Sequence, residues 1–139
     1  MIVLDTNVIS ELFRTRPDSR VVTWMEEVSG EVAITAITVA ELLAGLRRMP
    51  ESERRSTLTS TIHTALEPYL QTQAVLAFDA SAASHYAEVL FMREHARRPI
   101  STADAQIASI CRAQGAICAT RNIRDFVHTG TELVNPWDA

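Results

Sequence analysis

Along this chain short apolar runs alternate with longer stretches in which apolar residues recur every three or four positions. Residues 2–4 (Ile-Val-Leu) form one such run, ended by Asp5, and read as a buried strand. Asn7 to Arg14 suits a short helix closed off before Pro17. Asp18 is placed to cap a second helix with Val21, Val22, Met25 and Val28 facing inward, and Gly30 ends it. Residues 32–36 predict a second strand. Thr38 then starts a helix to about Arg48, with Val39, Leu42, Leu43 and Leu46 on one side. Pro50 and Glu51 restart a helix to about Leu66, ahead of Pro68. Residues 75–78 predict a third strand. Asp79 or Ser81 caps a long helix to about Arg97, broken by Pro99. Ser101 to Gln114 is a further helix, stopped by Gly115. Residues 117–119 make a fourth strand, and Leu133-Val134 a short fifth before Pro136.

Strands separated by helices predict a short, mainly parallel central sheet of four or five strands with helices on both faces. The 139 residues suit one α/β domain, and 47% apolar content can fill its core. The apolar runs are too short to span a bilayer, and the start Met-Ile-Val-Leu-Asp lacks the basic-then-apolar order of a signal peptide. The expectation is a cytoplasmic protein with no membrane partner. Cys111 and Cys118 form no metal-type spacing and are expected to be buried free thiols.

The net charge of −4 is less informative than its makeup: all 13 basic residues are Arg. Arg47-Arg48, Arg54-Arg55 and Arg97-Arg98 offer planar groups suited to phosphate, although such pairs commonly just face solvent. With no Lys, every mechanism that needs a lysine is excluded. The isolated glycines exclude a P-loop and a dinucleotide fingerprint.

Four acids stand at element junctions: Asp5, Glu41, Asp104 and Asp125. Each has an ordinary explanation. Thr38-x-x-Glu41 and Ser101-x-x-Asp104 match the capping box, Asp5 can cap the next helix, and Asp125 suits a first helical turn. Their shared placement says more, because ligands of an open parallel sheet collect beyond the carboxyl ends of its strands. Carboxylates gathered there repel and raise one another's pKa values, a cost that a bound dication relieves. Oxygen ligands favour magnesium or manganese over zinc. His63, His85, His95 and His128 show no ligand spacing and are read as surface or packing residues.

In the runs Leu4-Asp5-Thr6-Asn7-Val8-Ile9-Ser10, Thr35-Ala36-Ile37-Thr38-Val39-Ala40-Glu41-Leu42, Ala103-Asp104-Ala105-Gln106-Ile107-Ala108, Ala119-Thr120-Arg121-Asn122 with Asp125-Phe126, and Val134-Asn135-Pro136-Trp137, the chain resembles the PIN-domain nucleases. Within them it is most similar to the VapC-type toxins of toxin–antitoxin pairs, in the FitB-like branch. The resemblance runs nearly end to end. It implies a single PIN domain over residues 1–139 and a magnesium-dependent endoribonuclease, with manganese as a substitute. It also implies a small, DNA-binding antitoxin as partner, and a homodimer, or a heterotetramer or larger assembly with that antitoxin. The family's metal-site acids fall on Asp5, Glu41, Asp104 and Asp125, with Asp5 and Asp104 the most direct ligands. Thr6, Asn7 and Thr120 would orient ligands or phosphate. The expected chemistry is attack on an RNA phosphodiester by metal-activated water, with Glu41 or Asp125 taking the proton.

Two other classes share part of this pattern. Aspartate phosphotransfer enzymes and receiver domains also place an Asp at a strand end, but they want a lysine, and the former a second Asp where Asn7 stands. A catalytically dead module acting only through its partner is opposed by the intact acids. An amphipathic partner helix is expected between residues 18–28 and 38–66, near Trp24, Leu43 and Leu46, and a dimer face near Tyr86 and Phe91.

Overall fold

Val3 and Leu4 are adjacent in one strand, point to opposite faces of a sheet and are both fully buried. This is the signature of a sheet covered on both sides. In the computed structural model, which describes residues 1–28 and 30–138, their strand β1 (Ile2–Leu4) lies at the centre of five. β2 (Val32–Thr35) and β3 (Val75–Leu76) extend the sheet on one side of it, and β4 (Ile117–Ala119) and β5 (Leu133–Val134) on the other. The order is β3-β2-β1-β4-β5 and every pairing is parallel. The direction of winding therefore reverses at β1, and a crevice opens there beyond the carboxyl ends of β1 and β4.

The helices segregate by face. Leu4 and Ile34 pack with residues of α1 (Thr6–Leu12), α2 (Ser19–Glu27), α3 (Ala36–Arg48) and α4 (Glu53–Gln71), including Val8, Val21, Leu42 and Ile62. Val3 and Cys118 pack instead with α5 (Ala80–His95), α6 (Thr102–Gln114) and the one-turn α7 (Ile123–Phe126), through Val89, Ala108 and Phe126. A short 3-10 turn (Pro136–Asp138) seals one end with the buried Trp137. Each fully buried aliphatic side chain contributes about 1.5–3 kcal/mol to holding the layers together. Cys111 and Cys118 are buried free thiols, as expected. Among the described residues no helix is long and apolar enough to cross a membrane.

Several boundaries differ from the sequence reading for identifiable reasons. α3 begins at Ala36, because Thr35 ends β2 and itself caps the helix, accepting from the Thr38 amide at 3.1 Å. Glu41 is thus not the acid of a capping box. α4 runs through Pro68 to Gln71, its last turn held by buried Leu66, by Tyr69 on the core and by the Thr72 hydroxyl on the Pro68 carbonyl at 2.7 Å. α5 stops at His95 because Arg97 turns left-handed (φ 56°) and the Arg98 amide returns to the Arg93 carbonyl at 2.9 Å. β3 keeps two residues rather than four. Phe78 leaves the strand and packs edge-on against Tyr86, with ring centroids 5.8 Å apart. On α2 only Val21 is fully buried, with Met25 and Trp24 packed beside the core.

Two glycines give opposite predictions. Gly115 ends α6 at φ 61°, in open space, so Gly115→Ala meets only backbone strain and loses about 1 kcal/mol in urea denaturation. Gly45 sits inside α3, also in open space, so Gly45→Ala gains about 0.5–1 kcal/mol in the same measurement.

Candidate active site

Asp5 leaves β1 in an extended conformation (φ −65°, ψ 158°) and caps α1. Its Oδ1 accepts from the Thr6 amide at 2.8 Å, and its Oδ2 accepts from Asn7 Nδ2 at 2.9 Å and Thr120 Oγ1 at 2.8 Å. Thr120 follows β4 directly and is fully buried. Its hydroxyl oxygen accepts in turn from the Asn122 amide at 3.0 Å, and Asn7 Oδ1 accepts from the Arg121 amide at 3.2 Å. One carboxylate therefore ties the end of β1 to the loop after β4. The reading of Asp5 as a helix cap holds, and capping uses one oxygen while the other faces Asn7 and Thr120.

Glu41 reaches the same edge from α3. Thr6 Oγ1 donates to Glu41 Oε1 at 2.7 Å. The Thr6 hydroxyl has one proton, so the contact with Thr38 Oγ1 at 2.9 Å is donated by Thr38. Thr35, buried at the end of β2, donates to Thr38 at a long 3.5 Å. The order Thr35, Thr38, Thr6, Glu41 thus runs from the core to an exposed carboxylate. Thr38 was legible in the sequence only as a cap; its place in this chain became visible once α3 was seen to start two residues earlier.

Asp104 stands in the first turn of α6, where Ser101 Oγ accepts from its amide at 3.1 Å. That half of the expected capping box is present. Asp125 lies in the first turn of α7, in keeping with its reading as a first-turn acid. Burial raises the Asp5 pKa to about 6, opposed by the hydrogen bonds from Thr120 and Thr6, with repulsion from Asp104 and Glu41 adding to the rise. Asp104 is raised as well, first by burial, and its neighbours include the charges of Asp125 and Glu41. All four acids therefore share one field. Among the described residues, however, no three His, Cys, Asp or Glu side chains converge tightly enough to ligate one ion directly.

The histidines stay outside this site. His85 Nδ1 accepts from Arg112 Nε at 3.2 Å, and His95 stacks on Phe91 with centroids 4.9 Å apart. A cleft of about 1010 Å³ runs from Thr6 and Glu41 between α1, α3 and α4, floored by Leu42, Leu46 and Ile62 and flanked by Arg14 and Arg54. The expected partner surface shifts accordingly. Leu46 is buried and Trp24 packs on the core, which leaves Leu43 as the exposed member of that trio. On α5, Phe91 is 62% exposed, whereas Tyr86 packs against the second core. Arg121 lies 5.0 Å from the ring centre of Trp137, a cation–π contact with no signal in the sequence.

Comparison with known proteins matches this chain to the PIN domain over residues 2–131. The VapC ribonuclease Y4jK of Sinorhizobium fredii is 38% identical over 99% of both chains. Toxin FitB of Neisseria gonorrhoeae is 33% identical, again over 99% of each. The solved structure of FitAB bound to an IR36 DNA fragment superposes with a TM-score of 0.90 at 33% identity, covering 99% of this chain and 96% of that one.

The raised Asp5 pKa has a consequence for stability. The folded form holds a proton that the unfolded chain gives up near the ordinary 3.8. This group's favourable contribution is complete below that value and is gone once the pH passes about 6. In chelator, the unfolding free energy of the wild type relative to Asp5→Asn should fall by up to about 3 kcal/mol from roughly pH 4 to pH 7.5, read by urea denaturation. A difference that is flat or rises over that window contradicts the burial of Asp5.

Proposed function

The chain belongs to the PIN-domain family, and on that premise we propose that it is a magnesium-dependent endoribonuclease toxin restrained by a small antitoxin. The observation that carries this reading is a buried, hydrogen-bonded Asp5 at the switch point of the sheet, repelled by Asp104 and Glu41, with Asp125 in turn repelling Asp104. A ribonuclease and a toxin among its relatives support the choice of substrate and biological role.

The residues fit magnesium. They offer hard oxygen donors whose repulsion a dication relieves. Magnesium keeps several of its waters and takes one or two carboxylates directly, which suits acids too spread for three to share one ion. Asp5 and Asp104 would be those direct ligands, with Glu41 and Asp125 reaching the ion through water, and manganese would substitute. When bound, magnesium supplies Lewis acidity to a nucleophilic water and countercharge to the phosphate.

The chain's own residues do the rest. Asn7 and Thr120 hold Asp5 in one rotamer through hydrogen bonds at 2.9 and 2.8 Å. Thr6 fixes one oxygen of Glu41, leaving an exposed carboxylate to accept the proton of the attacking water. Asp125 adds negative charge that acts on Asp104 and would complete the site. Attack by water leaves a 5′-phosphate and a 3′-hydroxyl and gives the 2′-hydroxyl no part. RNA rather than DNA as substrate rests on the relatives.

The structure of FitAB with DNA supports a DNA-binding antitoxin as partner. The apolar floor of the cleft beside Thr6 and Glu41 suits a partner segment that blocks access to the acids. The exposed Phe91 supports pairing of two copies through α5, in a homodimer or a heterotetramer or larger assembly with antitoxin. Acting on cellular RNA, the protein would work in the cytoplasm.

Purified protein should cleave a panel of cellular RNAs in magnesium and not in EDTA, giving 5′-phosphate ends. Asp5→Asn and Asp104→Asn should each lose at least about a hundredfold in rate while melting cooperatively. Cyclic phosphate ends would contradict the mechanism, and absence of magnesium-dependent cleavage would mark a non-catalytic module.

A further inference from the structure

Arg93 is 3% exposed, and the mechanism leaves it without a task. Its guanidinium meets no carboxylate within ion-pair distance among the described residues. It is bound instead by four backbone carbonyls. Nε donates to Arg98 O at 2.9 Å and Nη2 to Pro99 O at 2.8 Å, while Nη1 donates to Arg124 O at 3.2 Å and Val127 O at 2.7 Å. A buried cation is costly unless fully hydrogen-bonded, and four charge-assisted bonds offset that cost here.

The four carbonyls belong to two segments that are distant in sequence and carry the two acids. Arg98 and Pro99 lead into Ser101, the cap of α6, whose first turn holds Asp104. Arg124 and Val127 flank Asp125 in α7. Each segment also bends at a left-handed residue that is not glycine, Arg97 (φ 56°) beside the first pair and His128 (φ 61°) beside the second. Such bends persist only where their surroundings hold them. A four-residue helix cannot sustain itself in water. α7 is held by buried Phe126, by the Thr129 hydroxyl on the Phe126 carbonyl at 2.6 Å, and by Arg93. A lysine is a point charge with three donors and cannot span this set, whereas the planar fork of arginine can.

We propose that Arg93 is a positioning residue that fixes Asp125 relative to Asp104 by clamping the carbonyls of both acid-bearing segments. It works through the shape of the guanidinium, which binds both segments at once, while its charge also favours the Asp104 carboxylate. The purpose assigned to the clamp rests on the metal-site reading above.

The test compares wild type with Arg93→Lys and Arg93→Gln by thermal melting, magnesium calorimetry, amide hydrogen exchange, and kcat and KM on a cleaved RNA. Both variants should melt cooperatively, with exchange accelerated at residues 123–127 and unchanged in α1. Magnesium affinity should fall by about tenfold or more, and kcat by a similar factor, with KM within about twofold of wild type. Three results would overturn the proposal: Arg93→Lys with wild-type magnesium affinity and exchange, loosening of α1 and α7 alike, or failure of both variants to fold. A wild-type protein that binds no magnesium fails a separate control, and overturns the metal-site reading together with the role built on it.

Discussion

The arrangement depends on a carboxylate placed where carboxylates are least at ease. Asp5 is 4% exposed, at the end of the central strand, with two other acids near enough to repel it. Three donors hold it there: the Thr6 amide, the Asn7 amide group and the Thr120 hydroxyl. Desolvation still outweighs them, since the group titrates near 6 rather than 3.8. The folded protein therefore carries a local electrostatic cost at this site.

The topology makes that concentration of charge possible. Because winding reverses at β1, the loops after β1 and β4 face each other, and α3 and α6 bring their acids in from opposite layers. Each acid is anchored differently. Asp5 is fixed by the strand it ends, Glu41 by a line of hydroxyls from the core, Asp104 by a capped helix start, and Asp125 by a short turn pinned by Arg93. These supports lie in separate parts of the sequence, so each can be perturbed while the sheet stays intact.

Much of this was legible in the sequence because it depends on local periodicity. The strands at residues 2–4, 117–119 and 133–134 follow from short apolar runs, and the end of α6 follows from Gly115. The four acids were visible as junction residues. What stayed hidden depends on contacts made across long sequence distances. The start of α3 moved because Thr35 serves both strand and helix. α7 is too short to have a periodicity, and it exists through packing and Arg93. The cleft between α1, α3 and α4 stayed hidden because it forms only where three helices distant in sequence come together.

On the metal-site proposal, Asp5 keeps its raised pKa until a dication takes the place of its proton. Calorimetric titration of magnesium in buffers of different ionisation enthalpy measures that exchange directly. At about pH 5, where Asp5 is mostly protonated, binding should release protons, approaching one per ion from this group; the release should vanish at about pH 8 and fall in Asp5→Asn. Binding with no proton release at the lower pH, or release undiminished in the variant, would contradict the account.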